Sequence, residues 1–224
     1  MPSPTLATVW ATDEHVARAE AADFPLLCPV AQKVASGSDG AILAGSFSFT
    51  SAVNFSLQGV LPGNMLQLTG PSATINLKDL LVVDTVAGTT ITLRRLRMSA
   101  GMGQPPVGTN ATGVTFLIAT LAPQIEEASY EINRDFGLDD LVPGAQPSQV
   151  IDQRAATSAT VALVLIGQYL AMARQSGANK DHFTAKSEFY RDRFRSLRDK
   201  LAFRISGSLG GANTATFNRR IRRG

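Results

Sequence analysis

Chemistry-bearing residues are scarce in this chain: among its 224 residues there are one cysteine and two histidines. A lone Cys28 excludes an internal disulfide and any cysteine-based zinc site. His15 and His182 fall near expected helix starts among polar neighbours, with no Ser or Cys in a nucleophile motif beside them, so both read as surface histidines. The segment "GMGQPPVG" imitates a glycine-rich phosphate loop for three residues only. Pro105 and Pro106 then replace the N–H groups that a phosphate needs, and no Lys-Ser/Thr pair follows. Asp139 and Asp140 are adjacent rather than alternating, which excludes a calcium loop. Glu126 and Glu127 fall in the first turns of an expected helix, where the dipole alone accounts for them. The sequence thus predicts no enzyme, no cofactor and no metal. The opening "MPSPTLATVWATDEH" has neither a basic n-region nor an apolar core and does not read as a signal peptide. Charge is also thin, at 17%, against 44% hydrophobic residues, a balance that belongs to a folded chain.

What is present comes in blocks. "VWATDEHVARAEAADFPLLCP" predicts a short helix with Thr12 as N-cap and Asp13 and Glu14 in its first turn, ended by Pro25 and Pro29. "VASGSDG" reads as a turn-rich linker. From about Ala41 to Met98 alternation predicts five or six short strands, carried by "SFSFT", "VNFSLQGV", "MLQLTG" and "DLLVVDTVAGTTITLRRLRM", in a small barrel or sandwich. "SAGMGQPPVGTNATG" reads as an exposed loop. In "APQIEEASYEINRDFG" the spacing of Ile125, Ser129, Ile132 and Phe136 predicts a helix, stopped by Gly137. A long helix follows from about Gln149 to Gln175, with Ser148 as its cap. Its stretch "AATSATVALVLIGQYLAMA" carries no charge over nineteen residues, yet Thr157, Ser158, Thr160, Gly167 and Gln168 dilute it, so burial among helices fits better than a membrane span.

The last segment, "DHFTAKSEFYRDRFRSLRDKLAFRI", predicts a helix with an apolar stripe of Phe183, Tyr190, Phe194, Leu197 and Leu201. The short "SGANK" turn before it makes the long helix its antiparallel partner. From Lys180 onward twelve basic side chains face four acids, a local excess of eight in a chain whose net charge is only +3. The tail "SGSLGGANTATFNRRIRRG" shows no helical or strand period and reads as an arm, with Phe217 and Ile221 as apolar anchors among arginines. Residues expected to meet a neighbouring subunit, a partner protein or DNA phosphate are Arg191, Arg195, Arg198, Phe217, Arg219, Arg220, Ile221, Arg222 and Arg223.

Four stretches, "WATDEHVARAEAADFPLLCP", "APQIEEASYEINRDFGL", the long apolar helix and the closing "F..K...Y...F" helix with its arm, resemble the head–tail connector (adaptor, or neck) proteins of tailed bacteriophages. The resemblance implies an α+β chain: an α-helical bundle with an inserted small β-barrel or sandwich module and an extended C-terminal arm. The corresponding segments are 1–40 (helical), 41–118 (β module and Gly/Pro loop), 119–205 (helical hairpin) and 206–224 (arm). It implies a non-enzymatic virion protein at the neck, in the host cytoplasm before assembly. Such a protein forms a homo-oligomeric ring, a dodecamer, between portal and tail. Its partners are the portal protein, other neck or tail-completion proteins and passing double-stranded DNA held without sequence preference, with no membrane. The alternative is a non-specific DNA-binding protein that grips phosphate with the basic helix and arm.

Overall fold

The computed structural model describes residues 8–69, 80–99, 102–103, 105–106, 109–138, 150, 153–175, 177, 179–200, 203–206 and 212–215. They divide into two compact units, one spanning Thr12–Ala122, the other taking the residues on either side.

The first unit is a closed β-barrel. Its strands are β1 (Lys33–Ile42), β2 (Ser48–Thr50), β3 (Met65–Thr69), β4 (Leu80–Ala87), β5 (Thr90–Arg95) and β6 (Ala111–Ala119). They are ordered β1-β2-β5-β4-β3-β6, with β6 pairing back onto β1, and every pair is antiparallel. Closure removes the exposed strand edges that an open sheet would have to protect. Alternation puts Ile91 and Leu93 of β5 inside, with Thr90, Thr92 and Arg94 facing away. The core centres on three rings: Phe116 lies edge-on to Phe49 at 5.0 Å and to Phe55 at 5.7 Å between centroids.

Two stretches behave differently from their sequence reading. "VASGSDG" is no linker: it lies within β1, whose Lys33↔Ala119 and Gly40↔Val114 pairings help close the barrel. Its glycines are packing residues. A Cβ on Gly40 would lie 2.5 Å from the Phe49 ring, and one on Gly37 would lie 2.7 Å from the Phe116 ring. "VNFSLQGV", read as a strand, is a turn-rich connection between β2 and β3. The Asn54 side chain accepts from Leu57 N–H at 3.1 Å, and Phe55 N–H donates to Gly88 O at 2.8 Å. Local side-chain bonding by Asn54 competes successfully with a strand ladder. Phe55 and Val60 fill the core while Leu57 stays exposed.

Helix α1 (Asp13–Ala19) starts at its predicted N-cap, Thr12. It ends earlier than predicted, and Pro25 instead lies in the first turn of a separate short helix, α2 (Phe24–Leu27), where the missing proline N–H costs nothing. Val30–Gln32 form one 3₁₀ turn before β1.

The second unit contains α3 (Ala122–Asp135, entering from Pro123), α4 (Gln153–Gln175), α5 (Lys180–Lys200) and the antiparallel strands β7 (Phe203–Ser206) and β8 (Ala212–Ala215). Gly137, at φ 64°, ends α3 as predicted. Ser148, proposed as the cap of the long helix, lies outside the described residues. The expectation of an α-helical bundle with a small inserted module and an extended arm is therefore corrected. The barrel is a full unit with a core of its own, built from residues well before Ala41 and after Met98. The other unit is three helices and a β-hairpin, because α5 stops at Lys200 and the chain beyond it pairs with itself, Phe203 opposite Ala215.

Candidate assembly interface

The α4–α5 hairpin is locked by aromatic rings. Tyr169 of α4 stacks on Phe183 at 6.2 Å and on Tyr190 at 6.0 Å, with planes inclined by only 23° and 11°. Phe183 and Tyr190 lie seven residues apart, two helical turns, so both face the same partner ring. Lys186, one turn beyond Phe183, places its ammonium 5.1 Å from the Tyr169 centroid and donates to its hydroxyl at 3.2 Å. Ser187 Oγ–H donates to Ile166 O at 3.2 Å, which satisfies a hydroxyl that is otherwise buried. Phe194 packs against the cluster of Trp10, Ile132, Leu138, Val150, Ala156 and Ala159. The predicted stripe thus faces inward as far as Leu197, while Leu201 lies outside the described residues.

Trp10 joins two stretches that are far apart in sequence. Its N–H donates to Ser129 Oγ at 3.1 Å, its indole Nε1–H to Asn133 Oδ1 at 2.7 Å, and its carbonyl accepts from Thr157 Oγ1 at 2.7 Å. Ser129, a polar residue on the apolar face of α3, is there to receive this bond and is fully buried. Among the described residues, α4 is the one helix long and apolar enough to cross a membrane, and half of its most apolar window is buried within the chain. Its large apolar side chains are all buried or half-buried within the single chain, in line with a helix packed among others.

The face of α5 turned away from α4 is polar and basic. Arg191, Arg193, Arg195 and Arg198 are all exposed. Arg195 bonds Asp192 at 3.2 Å, an exposed pair that contributes a few tenths of a kcal/mol. Phe189, 60% exposed and in edge contact with Tyr190, lies on a different side of the helix from Arg191, Arg195 and Arg198. Of the nine residues singled out from sequence, Arg191, Arg195 and Arg198 lie together on this exposed face. Phe217, Arg219, Arg220, Ile221, Arg222 and Arg223 lie outside the described residues. Sequence reasoning missed Phe189 and, on α3, Tyr130, which is 57% exposed. An aromatic residue outside the buried stripe was the available signal for both.

The barrel unit uses its charges on itself. Glu14 of α1 accepts from Arg94 at 2.6 Å and from Arg97 N–H at 3.0 Å, and it also pairs with Arg18. Burial alone would raise its carboxyl, but these donors outweigh burial and hold it down at about 2. The Arg97 backbone, at φ 65°, is the one non-glycine among the described residues in the left-handed region, and its N–H is aimed at this carboxylate. Asp13 accepts from Thr120 Oγ1 and from Leu121 N–H, both at 2.7 Å; burial pushes its carboxyl up against those bonds. Burial lowers His15, whose Nδ1 accepts from Thr12 N–H at 3.2 Å. His182 lies against the Phe183 ring at 5.5 Å. Cys28 is buried, and its thiol is pushed up to about 12, which makes it unreactive. Among the described residues, no group of three or more His, Cys, Asp or Glu side chains could hold a metal ion.

In comparisons with known proteins, no family model, no curated protein and no solved structure matches this chain.

Proposed function

We propose that this is a structural head-to-tail connector of a tailed bacteriophage, forming a ring between portal and tail around the DNA channel. The observation that carries the reading is the α4–α5 hairpin: an aromatic lock faces inward, and four arginines of α5 face outward. The residues of the resemblance's closing pattern, Phe183, Lys186, Tyr190 and Phe194, are the ones that seat α5 on α4 or on the adjoining core. Trp10 and α3, two further stretches of the resemblance, are bonded to each other. In this reading, the arginines of α5 meet carboxylates of a neighbouring subunit or of the portal, in the planar two-bond geometry that guanidinium favours. The barrel offers a surface to the next neck protein, and DNA in the channel slides past weak contacts that do not depend on sequence.

The same exposed arginines suit a DNA-binding protein that grips phosphates. One experiment separates the two readings. The full chain is mixed with portal rings encoded alongside it, then sized and imaged, and binding to free duplex DNA is measured across a salt series. A connector joins the portal in a ring and binds free DNA poorly at physiological salt. Chains that stay monomeric beside the portal, or that bind DNA tightly with a steep salt dependence, overturn the connector reading.

A further inference from the structure

We propose that the groove between α4 and α5, where α4 ends and α5 begins, holds an acidic amphipathic helix of a partner protein. Its apolar side rests on Leu163, Gly167 and Leu170, and its carboxylates meet Arg174 and Lys180. This deepens the connector reading, from which it takes only that the partner is a protein. The groove opens as a cavity of about 420 Å³ lined by Leu170, Ala173, Arg174, Gly177, Lys180 and Thr184. It continues a strip of α4 that is covered at its start, where Ala156 and Ala159 are buried with Trp10 and with Ile132 of α3. At intervals of three or four residues the same side of α4 runs on as Leu163, Gly167, Leu170 and Arg174. There Leu163 and Leu170 are only half-buried, and Gly167 and Arg174 are exposed.

Space and charge together select this occupant. A Cβ on Gly167 would meet nothing within 4 Å, so the chain itself has no need of glycine at a mid-helix position where glycine weakens a helix relative to alanine. Room of that kind suits the close approach of another chain. The cations are uncompensated: α4 carries no carboxylate along its length, and among the described residues neither Arg174 nor Lys180 forms an ion pair. The basic side of α5 starts at this groove, with Arg191, Arg195 and Arg198 seven, eleven and fourteen residues beyond Thr184. Asp181, Glu188 and Asp192 lie further round, on the side of α5 opposite Phe183 and Tyr190. An apolar floor with a cationic rim complements a helix that carries apolar residues on one side and carboxylates beside them. A DNA phosphate backbone would leave Leu163 and Leu170 wet and make no use of the space over Gly167.

Titration of the full chain with labelled probes tests this. The probes are a synthetic helix of about eighteen residues, five turns, with leucine on one side and glutamate on the other, its twin with lysine for glutamate, and a duplex DNA oligomer. The parent is expected to bind the acidic helix about tenfold more tightly than the basic one at physiological salt. Gly167→Leu fills the groove and favours the helix, so it is expected to weaken that binding about tenfold while the unfolding temperature holds or rises. Arg174→Glu combined with Lys180→Glu is expected to reverse the preference. A parent chain that does not prefer the acidic helix overturns the groove, and so does a Gly167→Leu chain that binds it as the parent does. Tight DNA binding that Gly167→Leu leaves intact, with the acidic helix ignored, overturns it in favour of phosphate. Recruitment to portal rings is scored in parallel. Chains that join the portal without preferring the acidic helix overturn the groove while the connector reading stands. Chains that prefer the acidic helix and ignore the portal overturn the connector reading while the groove stands.

Discussion

The two units use charge in opposite ways. In the barrel unit, Glu14 collects Arg18, Arg94 and the Arg97 N–H, so its partly buried cations are bonded within the unit. In the helical unit the interior is held by stacked rings around Tyr169, which also accepts from the Lys186 ammonium, and by the neutral hydrogen bonds of Trp10, while the arginines of α5 are exposed. A carboxylate that gathers several donors fixes one fold, because breaking any of its bonds strands charge away from water. An arginine on a solvated helix face contributes little to the stability of its own chain. The connector reading proposed above accordingly rests on the hairpin and not on the charges of the barrel.

The sharpest way to test the contrast is to remove the ring at the centre of the barrel. Phe116→Ala should destabilise the barrel by about 4 kcal/mol in denaturant unfolding, since it empties space that Phe49, Phe55 and Gly37 are shaped around. Next in size, Glu14→Gln should cost about 2–3 kcal/mol, because it leaves Arg94 and Arg18 without their anionic acceptor.

The same carboxylate makes the contrast visible in pH. Its folded value of about 2 lies below its ordinary 4.5, so its contribution is fully present above pH 4.5 and is lost as pH falls through 2. Asp13 has the opposite sign: its carboxyl is raised on folding, so ionisation above its ordinary 3.8 works against the folded state. A stability profile of Glu14→Gln should consequently show a flatter fall between pH 4.5 and 2 than the parent protein. An unchanged acid limb would contradict the role given to Glu14.

The smallest expected effect on stability is in the hairpin. Replacing Arg191, Arg193, Arg195 and Arg198 with Ala should shift unfolding by no more than about 0.5 kcal/mol per site, while recruitment to portal rings is lost. A large loss of stability would mean that these arginines serve the fold and not a partner.

Legibility differed along the chain for physical reasons. Helix α3 and the α5 stripe repeat at the helical period and bury one side each, so Ile125, Ile132, Phe183 and Tyr190 were readable as inward-facing. The β4–β5 hairpin was readable from its alternation around Gly88. β1 was not, because its glycines carry the signature of a linker, and only the approach of the Phe49 and Phe116 rings gives them another reason. The connection holding Phe55 alternates like a strand, but its apolar residues anchor a loop. The C-terminal pairing of β7 with β8 has no local period to announce it. At the candidate interface, the arginines were visible as a charge excess, whereas Phe189 and Tyr130 became candidates only once their exposure was known.

The sequence by itself determined where helices can begin and end, which of their sides is oily, and that the last segment is basic, since these follow from local period, capping and charge. Tertiary structure alone decided that six short strands close into a barrel, that Glu14 binds a cation eighty residues away in the chain, and which aromatic rings remain in water. Those outcomes depend on contacts between residues distant in sequence, and no local pattern encodes which distant partner arrives.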